Sequence, residues 1–104
     1  MKILVVCGAG ASSTFVAHRI RRLARERGLE IVVSPTSDSA LEDSAKDAAV
    51  VLLGAHLAAQ ADAIRARLAE LGDASVVVLP EAAFTDQSGA IALDSALDAV
   101  GIRP

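Results

Sequence analysis

A single cysteine heads a run of small and hydroxylated residues, Cys7-Gly8-Ala9-Gly10-Ala11-Ser12-Ser13-Thr14. Two glycines give this run backbone freedom that other residues resist. Where such a run opens a helix, the first amides have no internal partners and point outward. A ring of N–H groups at a helix amino end is an anion site. Ser12, Ser13 and Thr14 add hydroxyl donors or cap the helix. A thiol at the mouth of that cradle is deprotonated more readily, because the helix end favours the thiolate. The arrangement suits in-line attack on phosphorus, with a phosphocysteine whose oxygens accept the hydrogen bonds of the loop. Cys7 and the phosphate-binding residues Gly8, Ala9, Gly10, Ala11, Ser12, Ser13 and Thr14 are therefore the candidate site. The plainer alternative is that Cys7 is a small apolar residue closing a buried strand.

Three other phosphate-handling loops fit less well. A dinucleotide fingerprint would need a third glycine where Ser13 stands, and an acidic residue closing the second strand, where the chain has Ser34 and Pro35. The G-x-x-x-x-G-K-[ST] run of a nucleotide-binding P-loop does not occur. A low-molecular-weight phosphatase carries Cys-x5-Arg, and Ser13 again occupies the decisive position. From Gly8 to Thr14 there is no cation to clamp a phosphoryl group in a bidentate grip. A carrier has no need of that clamp, since it holds the group briefly and passes it on.

The elements that must position this loop are legible as alternating short apolar runs and amphipathic stretches. Lys2–Val6 reads as a strand. Over Ser13–Arg27, Val16, Ile20, Leu23 and Ala24 form a helical stripe, closed by Gly28. Glu30–Ser34 reads as a second strand ended by Pro35, and residues 37–46 as a short helix. Ala49–Leu53 is an uninterrupted apolar run, the pattern of a strand buried on both faces. After a turn at Gly54-Ala55-His56, the residues Leu57, Ala61, Ile64, Leu68 and Leu71 form another stripe, ending at Gly72. Ser75–Leu79 is a fourth strand stopped by Pro80, residues 81–88 a loop, and Ser88–Val100 a final helix. This order predicts a single-domain α/β fold: a four-stranded parallel sheet, order 2-1-3-4, with helices on both faces, flavodoxin- or phosphatase-like. Ligands bind such sheets at the carboxyl ends of the strands, where the winding reverses. That point lies between the first and third strands, and Cys7 and His56 both fall there.

Composition narrows the function classes. With 104 residues, 53% of them hydrophobic, the chain holds one packed domain. No apolar run reaches the roughly 18 residues of a membrane span, and the first residues run directly into a strand, which predicts a cytoplasmic protein without direct membrane insertion. One cysteine cannot form an internal disulfide, and one cysteine with two distant histidines gives no metal-ligand spacing. Phe15 and Phe84 are the only aromatic residues, too few to stack nucleic-acid bases. Residues 1–34 hold six Lys/Arg against two Asp/Glu, whereas residues 35–104 hold four against eleven. The basic side chains Arg21, Arg22 and Arg25 form either a solvated helix face or a docking surface for an acidic partner.

The stretch Val5-Val6-Cys7-Gly8-Ala9-Gly10-Ala11-Ser12-Ser13-Thr14 resembles the phosphorylation loop of IIB proteins of the lactose/cellobiose/chitobiose phosphotransferase systems. Val50-Val51-Leu52-Leu53-Gly54-Ala55-His56-Leu57-Ala58 resembles the third strand and "LLG-P-Q-I" turn of that family, and length and element order agree over essentially the whole chain, residues 1–104. Two departures stand out: Ala11-Ser12-Ser13-Thr14 for the more usual Met-Ser-Thr-Ser, and Ala55-His56 for Pro-Gln. The resemblance implies a cytoplasmic phosphoryl carrier, with no cofactor, that accepts phosphate on Cys7 from a phosphohistidine of a IIA protein. It implies donation to a sugar bound by the membrane component IIC. His56 is then either an accessory to transfer or partner contact, or an exposed residue at a helix start. A phosphatase or arsenate reductase of the same fold, and a non-catalytic module binding an anion or a partner through the loop, remain alternatives at this level.

Overall fold

Apolar runs without alternation must be covered on both faces, and the two such runs in this chain become the two central strands. Ile3–Val6 and Val50–Leu53 are fully buried. The computed structural model describes residues 1–6, 11–36, 41–72 and 74–101. The elements are β1 (Lys2–Val6), α1 (Ala11–Glu26), β2 (Val32–Thr36), α2 (Leu41–Ala45), β3 (Val50–Leu53), a 3-10 helix (Ala55–Gln60), α3 (Ala61–Ala69), β4 (Ser75–Val78), α4 (Ala82–Thr85) and α5 (Ala90–Ala99). The strands form one parallel sheet in the order β2-β1-β3-β4, as expected.

Alternate residues of each central strand serve opposite faces. Ile3, Val5, Val50 and Leu52 pack with Val16, Ala17, Ile20 and Ala24 of α1 and Leu93, Ala96 and Leu97 of α5. Leu4, Val6, Val51 and Leu53 pack with Leu41 and Ala45 of α2 and Ala61, Ile64 and Leu68 of α3. The alanines let the helices sit close to the sheet. The helix α1 begins two residues before the sequence expectation, because nothing in Ala11-Ser12 resists helical geometry. It ends at the anticipated glycine. Gly28 has φ +72°, its N–H reaches the Arg25 carbonyl at 3.1 Å, and the Leu29 N–H reaches that of Ala24 at 2.9 Å. These are the two bonds of a Schellman cap.

The boundaries of β2 differ from the sequence expectation. Pro35 does not end the strand but lies within it, opposite Val5. The reason is parity on an edge strand. The Val32 N–H bonds to the Met1 carbonyl at 2.9 Å, so Val32 and Ser34 face β1, while Val33 and Pro35 turn their polar groups outward. A missing N–H there costs no ladder bond. Similarly, residues 55–60 form a 3-10 helix ahead of α3, where one continuous helix from Leu57 was expected. The anticipated loop at 81–88 contains the single turn α4, which buries Ala83 against the core. The expected short helix at 37–46 is present over Leu41–Ala45; residues 37–40 lie outside the described residues.

On each edge strand of the sheet, an outward carbonyl is taken by an arginine from an adjoining helix. Arg21 Nε donates to the outward carbonyl of Val33 on β2 at 2.7 Å. Arg65 Nη2 donates to the Val76 carbonyl on β4 at 3.3 Å; Ser75 and Leu79 bond to β3, so Val76 also faces outward. An occupied carbonyl is a poor template for strand addition. The double variant Arg21→Ala/Arg65→Ala is expected to self-associate more strongly than the wild type in sedimentation at rising concentration. Identical sedimentation of the two proteins would show that the caps have no such role.

The start of α5 is held by a carboxylate. Asp86 Oδ2 accepts the Ile91 N–H at 2.9 Å, and Oδ1 accepts the Ser88 N–H at 3.1 Å and hydroxyl at 2.6 Å. These donors, the Ile91 amide first, hold the Asp86 carboxyl below its ordinary range. A carboxyl depressed in the folded state stabilises above its unfolded pKa, about 3.9, and that contribution fades as pH falls through the lower folded value. The wild type is therefore expected to exceed Asp86→Asn in urea midpoint at neutral pH, with the gap narrowing below about pH 4. A gap independent of pH would locate the effect elsewhere.

Candidate functional site

The register aligns the carboxyl ends of the strands: Val6 lies opposite Thr36 on one side and Leu53 on the other, and Leu53 opposite Val78. The winding reverses between β1 and β3. A backbone bond ties the two strands at the reversal, from the buried Gly54 N–H to the Val6 carbonyl at 2.8 Å. The turn after β3 is thus joined to the last residue of β1, and the Leu57 N–H continues it back to the Gly54 carbonyl at 2.9 Å.

Cys7 is the next residue after Val6. Cys7, Gly8, Ala9 and Gly10 lie outside the described residues. The described chain resumes at Ala11, the first residue of α1. Ala11, Ser12 and Ser13 are helical in backbone, whereas their side chains and that of His56 are outside the description. Thr14 is exposed. The first turn of α1 carries no acidic residue, so no side-chain charge opposes the partial positive charge of the amino end. The amino end of α1 therefore presents no carboxylate to repel an anion brought to this end of β1. The backbone of His56 stands in the 3-10 helix, two residues beyond Gly54, at the same edge.

The basic residues of α1 are dispersed. Arg21 is committed to the Val33 carbonyl, and Arg22 Nη2 to the Gln87 carbonyl at 2.8 Å. Arg19 Nη1 bonds to the Phe84 carbonyl at 2.9 Å, and Arg27 pairs with Asp94 at 2.7 Å. These contacts seat α1 on β2, α5 and the segment around α4. Arg25 is exposed, and among the described residues no such bond is seen for it. An open groove of about 620 Å³ lies between Arg21 and Arg25 on one side and Met1, Ile31 and Val32 on the other. It borders the amino ends of the strands, opposite the edge where Cys7 follows β1. Among the described residues, no three His, Cys, Asp or Glu side chains stand together as a metal site, and no helix is long and apolar enough to cross a membrane.

Phe15 was not singled out as a site residue by its pattern, yet it is 65% exposed. The signal was present in the sequence. Phe15 falls outside the stripe of Val16, Ile20 and Ala24, and helical spacing puts it on the face of His18, Arg19 and Arg22.

The family model described as "PTS system, Lactose/Cellobiose specific IIB subunit" matches residues 2–93. Among solved structures, the lactose-specific IIB component domain of the phosphotransferase system from Streptococcus pneumoniae superposes with a TM-score of 0.82, covering 94% of this chain and 95% of that one at 16% identity. The cellobiose-specific phosphotransferase IIB component from Borrelia burgdorferi gives a TM-score of 0.74, covering 95% of this chain and 90% of that one at 22% identity. No curated protein sequence matches. At these identities the structural likeness establishes the fold, and the family model carries the assignment: the chain belongs to the lactose/cellobiose-specific IIB subunits of the sugar phosphotransferase system.

Proposed function

We propose that this chain, as one IIB domain over residues 1–104, is the phosphoryl carrier between a IIA protein and the sugar-loaded membrane component IIC. The Cys7 thiolate attacks the phosphorus of a IIA phosphohistidine. The S–P bond forms as the P–N bond breaks, and the electron pair returns to the imidazole nitrogen. Discharge reverses the roles: a sugar hydroxyl held by IIC attacks phosphorus, the P–S bond breaks with its electron pair on sulfur, and the hydroxyl proton passes to solvent water, which regenerates the thiolate. The amides and hydroxyls of Gly8 to Thr14 bind the phosphoryl oxygens in transit. His56 is an accessory at the same edge, by contact with a partner or with the phosphoryl group.

The observation supporting this reading most directly is positional. The single cysteine follows the central strand at the point of reversed winding, four residues before a helix whose first turn is free of acids. The absence of arginine from the loop separates a carrier from a phosphatase, because a phosphocysteine held by neutral donors keeps more of its transfer potential. The test is incubation with phosphoenolpyruvate and the upstream phosphocarriers, followed by mass-spectrometric location of the phosphate. Label on Cys7 is expected. Turnover of an aryl phosphate by the isolated protein, lost in Cys7→Ala, would instead indicate a phosphatase. Tight binding of phosphate ligands without labelling would indicate a regulatory module.

A further inference from the structure

We propose that Gly54 is a positioning residue for phosphoryl transfer, whose backbone N–H fixes the carbonyl of Val6 and so the direction in which the chain leaves β1; this rests on the reading of Cys7 as acceptor. The Gly54 N–H reaches the Val6 carbonyl at 2.8 Å. Val6 is the last residue of β1, and Cys7 is the next residue in the chain. Gly54 itself stands one residue past the end of β3, at the carboxyl edge of the sheet. Backbone freedom is not what this glycine supplies. Its φ of −61° and ψ of 151° are ordinary extended values, whereas Gly28, Gly89 and Gly101 have positive φ. The contribution visible in the structure is a donor.

That donor is held from several sides. The Leu53 carbonyl belongs to the same peptide group as the Gly54 N–H, and it accepts the Leu79 N–H at 2.8 Å. The Gly54 carbonyl accepts the Leu57 N–H at 2.9 Å, which starts the 3-10 helix. One planar peptide group is thus fixed from the β4 side and in turn fixes β1. Peptide groups bonded in series polarise one another, which strengthens each bond. Gly54 is buried, as are Leu53 and Val6, so water does not readily replace a missing donor. Turning the Val6 carbonyl means turning about the Cα–C bond of Val6, and the rigid peptide carries the next residue with it. In-line transfer tolerates little of this: a misplacement of about 1 Å costs on the order of 100-fold in rate. The opposite end of the same strand pair supplies a matched comparison. There the Ala49 N–H reaches the Lys2 carbonyl at 2.8 Å, remote from the point where the chain leaves β1.

The experiment exchanges single backbone amides for esters in the full chain, with glycolic acid in place of Gly54 and lactic acid in place of Ala49. Each exchange removes one N–H and keeps the side chain. Both esters are expected to lower the melting temperature by a similar amount, about 4–8 °C, and rates are read below both midpoints, where both chains are folded. In acceptance from the phosphorylated IIA protein, the Gly54 ester is expected to lose about 10- to 100-fold in kcat, with KM within about twofold of the wild type. Discharge of the prephosphorylated chain to sugar, in membranes containing IIC, is expected to slow by a similar factor, since the same sulfur is displaced. The Ala49 ester is expected to match the wild type in both half-reactions. Equal kcat for the two esters, or a loss confined to KM, would overturn the positioning role while leaving the carrier reading intact. A wild-type chain that takes no label on Cys7 would overturn both.

Discussion

Cys7→Ser is expected to abolish phosphoryl acceptance from the IIA partner while leaving the unfolding transition where it is. The exchange of sulfur for oxygen is small in volume, but it removes the nucleophile. A free thiol has a pKa of about 8.5, so near neutrality it reaches its nucleophilic thiolate form far more readily than an alcohol reaches its alkoxide. A serine hydroxyl in the same place needs a general base, and the segment from Gly8 to Thr14 contains no titratable side chain. The first turn of α1 likewise offers no carboxylate. The check is phosphorylation of wild type and variant side by side, with the phosphate located by mass spectrometry. Labelling of Cys7→Ser at the wild-type rate would mean that the group resides elsewhere, and His18 and His56 are the only histidines in the chain.

The second large effect concerns Gly89, far from Cys7 in sequence. Gly89 has φ +79° and sits where α5 begins against α1. A Cβ added there would lie 2.9 Å from both the carbonyl carbon and the oxygen of Arg19, and 3.2 Å from its Cβ. The first two are backbone atoms of a helix and cannot swing aside. Gly89→Ala therefore combines left-handed backbone strain of about 1–2 kcal/mol with overpacking of about 1–3 kcal/mol. A chain of this size has roughly 5–15 kcal/mol in total. A fall in melting temperature on the order of 10 °C or more is expected. Gly28→Ala is the internal control. Its φ is +72°, yet nothing lies within 4 Å of the added Cβ, so only the conformational cost of about 1 kcal/mol remains. Equal melting temperatures for the two variants would show that the Arg19 contact is not what makes Gly89 necessary. Because Arg19 and Arg22 tie α1 to the same segment, a displaced α5 would also disturb the amino end of the helix that follows Cys7.

Much of this architecture is dictated locally. The unbroken apolar runs at Ile3–Val6 and Val50–Leu53 have no solution but burial on both faces, which makes them central strands flanked by helices. Strand-sized and helix-sized segments in alternation then force parallel pairing, and the order β2-β1-β3-β4 follows from right-handed crossings. Gly28 marks the end of α1 because a left-handed cap needs no distant partner. The position of Cys7 at the end of the first strand is a matter of counting, and so is its nearness to a helix amino end.

What failed to be legible depended on neighbours remote in the chain. Pro35 reads as a strand terminator until β2 is known to be an edge strand with that residue turned outward. Residues 81–88 carry loop composition, and only the need to cover Ala83 and Phe84 against the core makes a helical turn of them. The basic run of α1 reads as one charged face. Partners 12 to 67 residues away divide it into edge cap, strap and ion pair, and leave Phe15 uncovered. Sequence alone thus determined the element order and the place of the single cysteine in the chain directly after the first strand, because periodicity and chain connectivity are local properties. Tertiary structure alone decided which arginines are occupied, which glycine admits no side chain and which aromatic faces solvent, because each depends on surfaces that meet only when the chain is folded.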